Sequence, residues 1–93
     1  MSETIQTINP DPNKKGVNIS KQKYDVIHSA ICTCLKSAGV ASLASIMNAV
    51  KEEVGDNFEG SVGWYVTTVK LDMEGKGELV CDRSKSPHEH FLK

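Results

Sequence analysis

Between Ser20 and Gly77 the apolar residues recur every three or four positions, in three blocks that each open at a serine and close at a glycine; beyond Gly77 the interval falls to two. Spacing of three and four lines up side chains along one stripe of a helix, whereas alternation lines them up on one face of a strand. The chain is therefore restricted to three helices followed by a short hairpin. The first block runs through Tyr24, Ile27, Ile31, Cys34, Leu35 and Ala38 to Gly39, about five turns of helix, with Ser20 placed to cap its free amides. The second has Ser42 as cap, Leu43, Ile46, Met47, Val50 and Val54 as stripe, and Gly55 as stop, with its "KEE" stretch turned away from the stripe. The third begins near Ser61, puts Val62, Val66, Val69 and Met73 on one face, and ends at Gly75 and Gly77. After it, "ELVCDR" and "HEHFLK" are extended segments separated by the turn cluster "SKSP".

Ahead of the first block, Asn9, Pro10, Asp11, Pro12, Asn13 and Gly16 crowd turn-forming residues into a loop, flanked by Ile5 and Ile8 before and by Val17 and Ile19 after. Residues 1–19 thus read as an extended N-terminal arm tethered by those apolar pairs, and residues 20–93 as the folded domain. Ninety-three residues support one core. That core is expected to be Ile27, Ile31, Leu35, Leu43, Ile46, Val50, Val66, Val69 and Met73. A hydrophobic fraction of 39% and a charged fraction of 25% are ordinary for a soluble domain, and no apolar run approaches the roughly 20 residues needed to span a bilayer. The N-terminus lacks a basic start followed by an apolar segment, so a cytoplasmic location is expected. Cys32, Cys34 and Cys81 form an odd set with no framework spacing and are expected as free thiols.

Helix, short connecting strand, helix, helix and hairpin is the order of a winged helix-turn-helix domain, an α+β fold. "VTTVKLDMEGKGELVCDR" resembles the end of many such domains, where the recognition helix runs into a Lys-Gly turn, here Lys76-Gly77, and then into the first strand of the wing. The resemblance covers about residues 20–93. More narrowly, "NPDPNKKG", "KYD", "GW" and "LDMEGKG" together are similar to a group of short bacterial proteins of unknown function. The wider resemblance implies double-stranded DNA as partner, with the third helix and the wing as the contact.

Residue chemistry on that helix points elsewhere. At about 100° per residue Trp64 and Leu71 fall nearly opposite the core stripe, with Thr67, Thr68 and Gly75 beside them and Lys70 nearer the margin. A duplex reader presents polar donors there. Trp64 and Leu71 instead suit cover by the arm, contact with a second copy or another protein, or aromatic stacking on a nucleic-acid base. For nucleic acid the candidates are Lys14, Lys15, Lys21, Lys23, Thr67, Thr68, Lys70, Arg83 and Lys85; for protein contact they are Trp64 and Leu71.

The net charge of −1 provides no general attraction to a polyanion. Binding would rest on asymmetry: four lysines face Glu3 and Asp11 in the first 23 residues, while Glu52, Glu53, Asp56 and Glu59 outnumber Lys51 in the stretch 51–59. The stretch "GSVG" formally matches the backbone clamp of KH domains, but its centre lacks a basic residue and its flanking order is wrong. His88 and His90 share a strand face, yet two ligands do not make a metal site; Cys32 and Cys34 diverge around their helix. Cys81 next to Asp82 has no histidine beside it in sequence. No enzyme activity, cofactor, metal, membrane contact or small-molecule substrate is expected. Two functions stand side by side, DNA binding first and a protein-interaction or self-association module second.

Overall fold

The computed structural model describes residues 3–11, 13–55, 58, 60–85 and 88–93. Two short strands come first, β1 (Thr4–Gln6) and β2 (Asn18–Ser20), paired antiparallel with Ile5 opposite Ile19. The helices α1 (Lys21–Ala38), α2 (Leu43–Val54) and α3 (Val62–Gly75) follow, and then β3 (Leu79–Asp82) pairs antiparallel with β4 (Glu89–Leu92). Between α1 and α2, Ala41 forms an isolated antiparallel bridge to His90, with amide-to-carbonyl distances of 3.0 and 2.8 Å. The architecture is α+β, with three helices and two small antiparallel strand pairs. No helix of the described residues is long and apolar enough to cross a membrane.

The serines and glycines punctuate the helices as their chemistry requires. The hydroxyls of Ser20, Ser42 and Ser61 accept from the amides of Lys23, Ser45 and Trp64, each occupying a donor that the first helical turn leaves free. At the end of α3, the amides of Gly77 and Glu78 donate to the carbonyls of Glu74 and Met73. This is the Schellman arrangement, and it needs the positive φ of 79° that Gly77 adopts. It turns the chain sharply into β3.

Eight of the nine expected core residues are fully enclosed, and Leu43 is half-buried at the edge. Ile19, Tyr24, Ala30, Ala41 and Leu79 complete the core from outside the predicted set. Three of these come from β2, the bridge and β3, because α1 packs not only on α2 and α3 but also on β1, β2 and β4, and α3 packs on β3.

The N-terminal segment differs from the extended arm expected of it, since it closes into a hairpin. Thr7 is buried, its amide and hydroxyl both donate to the Val17 carbonyl at 2.8 and 2.9 Å, and the Val17 amide donates back to the hydroxyl at 2.9 Å. Gly16 permits this crossing, because a Cβ there would collide with the carbonyl of Thr7. The sequence readings that fall on Met1, Ser2, Pro12, Asp56, Asn57, Glu59, Ser86 and Pro87 lie outside the described residues: the arm's first residues, one loop proline, two acids of the run 51–59 and half of the "SKSP" turn.

Candidate nucleic-acid interface

Opposite its core stripe, α3 is partly roofed by the N-terminal hairpin. The Ile8 amide donates to Asp72 Oδ1 at 2.9 Å, and the Ile8 side chain rests against Gly75, where a Cβ would come within 2.9 Å of it. Leu71 and Thr68 are half-buried beside this contact, while Trp64, in the first turn of α3, stays 47% exposed. The hairpin therefore covers Leu71 and leaves the tryptophan open.

Asp72 holds the roof in place. Its carboxylate is fully buried and accepts from the Ile8 amide, the Tyr24 hydroxyl and Lys76 Nζ, the last at 2.9 Å. A buried carboxylate is tolerable when charge-assisted donors surround it, and these donors come from the hairpin, α1 and the end of α3. Burial first, and then the Asp72 bond, push the Tyr24 phenol well above its usual range, which keeps it a donor.

Several of the cations named from sequence converge on this side. Lys14 and Arg83 border, with Asn9, Asp11 and Leu71, a hollow of about 350 Å³. Lys15 borders a smaller one of about 140 Å³ with Trp64, Thr68 and Leu71. Asn9 and Leu71 line both, so the two are neighbours. Lys23 Nζ stands 5.4 Å over the Tyr65 ring, and Tyr65 meets Trp64 edge to face at 5.0 Å between centroids and Phe58 at 5.2 Å. A row of aromatic and basic groups thus runs from Lys23 past Trp64 and Lys15 to Lys14 and Arg83.

Other candidates lie apart from it. Lys21 is paired with Asp25 at 2.8 Å, and the Thr67 hydroxyl donates to the Gly63 carbonyl of its own helix at 3.0 Å. Lys85 borders a different hollow with Cys34, Ser42 and Glu89.

Lys70 requires a correction. It is buried, with Nζ 3.0 Å from Glu74 Oε2, and is not on an accessible margin of α3. Four residues along a helix return to within about 40°, so Lys70 follows Val66 toward the interior. Arg83 Nη2 approaches Glu74 Oε1 at 3.7 Å, so this one carboxylate serves two cations. The Lys70 approach is an ion contact only; among the described residues no donor is aligned with Glu74 Oε2.

His90 and His88 also separate. His88 is exposed ahead of β4, whereas His90 is buried with Nδ1 3.1 Å from the Ala41 carbonyl, which fixes the proton on that nitrogen. Among the described residues its Nε2 has no partner. Burial, foremost, lowers the imidazole pKa from its ordinary 6.5.

Sequence reasoning passed over Asp72, Tyr65 and Phe58. The signal for Asp72 was an acid lodged between Leu71 and Met73 with a lysine four residues on. Helical periodicity did not foretell the aromatic cluster, because Phe58 lies outside α3.

Over residues 4–90 the chain matches the model of a family of unknown function, DUF6958, and it belongs to that family. No curated protein and no solved structure matches it.

Proposed function

We propose that the chain is a winged-helix domain that binds nucleic acid through its phosphates, on the side of α3 bordered by Lys14, Lys15 and Arg83. The architectural part rests on element order: helix, bridging residue, helix, helix and hairpin, with Ala41 paired to β4 in the place of a third short strand. The functional part rests on one observation, the convergence of three exposed cations from two distant chain segments on hollows that share Leu71 and Asn9. Like charges gathered against their own repulsion, offset by Asp11 among them and by Glu74 at 3.7 Å from Arg83, favour a polyanion even on a chain of net charge −1.

The mode differs from insertion of a recognition helix into the major groove. Residues 7–10 stand where a groove would have to close on α3, Lys70 is buried, and Thr67 is engaged with its own backbone. Contacts to phosphate are left, and these position without reading sequence. Titrating oligonucleotides, single-stranded and duplex, into the protein at low salt tests this. Binding to either that is lost in the variant Lys14→Ala, Lys15→Ala, Arg83→Ala supports it, and no binding of any oligonucleotide at about tens of micromolar protein, well within the usual non-specific range, overturns it.

A second reading, contact with another protein or a second copy, is favoured by the exposure of Trp64, since tryptophan is an enriched interface anchor. It predicts a dimer in sedimentation that Trp64→Ala turns into a monomer. Leu71 contributes little to that surface, being half-buried beside the hairpin.

A further inference from the structure

We infer that this face takes single-stranded nucleic acid in preference to duplex, with a base stacked on Trp64; the inference rests on the nucleic-acid reading above. Three features of the face lead to it. The first is the tryptophan itself, 47% exposed at the open end of a row of cations, where an aromatic surface costs solvation unless something flat covers it. Bases in a duplex are already stacked on one another and reach a protein ring only after being unstacked. An unpaired base has a free face to offer, and every base has one.

The second is the shape of the surface. The hollow beside Trp64 holds about 140 Å³ and is walled by the hairpin residues Ile8, Gly16 and Val17 on one side and by Thr68 and Leu71 on the other. A rigid double helix cannot follow α3 beneath that wall. A flexible strand can, placing a base at Trp64 and its next phosphates beside Lys15 in the same hollow and beside Lys14 and Arg83 in the adjoining one.

The third is how Trp64 is held. Tyr65 meets it at 84°, Phe58 meets Tyr65 at 81°, and Lys23 Nζ lies 5.4 and 5.8 Å over the Tyr65 and Phe58 rings. Edge-to-face contacts of this kind brace the ring. They bring one more cation to the same end of the row. The ring is thus presented in a set orientation beside positive charge, the combination that non-specific single-strand binders use.

Trp64 is the sole tryptophan, so its own fluorescence reports the contact. Short oligonucleotides of dT and of rU, and a duplex of the same length, are titrated into the full chain at low salt. A single strand is expected to quench the emission and to bind at least about tenfold more tightly than the duplex. Trp64→Ala is expected to weaken single-strand binding about ten- to a hundredfold while duplex affinity stays put, and Trp64→Phe to retain most of it. The dT and rU arms separate DNA from RNA as the source of the strand. Thermal unfolding of both variants checks that the fold survives. Duplex binding equal to or tighter than single-strand binding overturns the inference and leaves the function reading standing, as does an unaffected single-strand affinity in Trp64→Ala. Absence of binding to every oligonucleotide overturns both.

Discussion

Asp72 has no contact with solvent, and its carboxylate is held by donors from three separate parts of the chain. Asp72→Ala strands the Tyr24 hydroxyl and the Ile8 amide, and is expected to cost about 2–3 kcal/mol by urea unfolding, the scale of hydrogen bonds to a charged group. The Ile8 amide should then exchange with solvent faster than the α1 amides. His90 makes a different prediction. Its folded pKa lies below 6.5, so between that lowered value and 6.5 the unfolded chain binds the proton first. Stability is complete above 6.5 and falls on acidification, by at most about 1.4 kcal/mol per pH unit from this group, until the lowered pKa is passed. The variant His90→Asn keeps a donor for the Ala41 carbonyl and removes the titration. Urea midpoints from neutral to acid pH should therefore fall less steeply in the variant than in the wild type, and equal slopes would rule the assignment out.

The elements owe their positions to close approaches as much as to apolar stripes. β1 and β2 are each three residues long, too short to pair stably alone, and the hairpin persists because Thr7 and Val17 lock across Gly16 and Ile8 is tied to α3. Gly16→Ala puts a methyl group into the Thr7 backbone, which cannot yield as a flexible side chain would. The hairpin should detach from α3 while the helices remain, seen as new amide exchange over residues 4–20 with helical circular dichroism retained. The same C-terminal half of α3 has a comparable dependence in the Lys70 and Glu74 pair, whose side chains are 9% and 8% exposed. Lys70→Met leaves Glu74 with Arg83 alone at 3.7 Å and is expected to cost about 3 kcal/mol. Replacing both with apolar residues should restore much of that, because a buried ion pair gains little over good packing.

At the scale of the whole molecule the decisive quantity is where charge lies. Lys14, Lys15 and Arg83 occupy one side of α3, while Lys85, two residues beyond Arg83, borders the hollow at the ends of α1 and α2. Three phosphate contacts give a slope of log affinity against log salt of about −2 for a single strand. Arg83→Ala should reduce that magnitude by about 0.7 and Lys85→Ala should leave it unchanged, although in sequence the two look interchangeable. A fall in slope with Lys85→Ala would mean that the hollow at the ends of α1 and α2 is the one in contact.

The sequence by itself determined the three helices, their serine and glycine ends, the C-terminal hairpin and nearly all of the core, since capping and periodicity are local properties of the backbone and of neighbouring residues. Only the tertiary structure decided what the outer side of α3 presents. Whether the hairpin roofed Trp64 and Leu71 depended on contacts between Ile8 and Asp72, 64 residues apart, and it covered one and left the other. Lys70 lost its expected place on the accessible margin, and Arg83 kept its exposure, for the same reason. A lysine's stem can follow the core stripe inward when a carboxylate one turn away receives its charge, and no spacing rule records where that carboxylate sits in space.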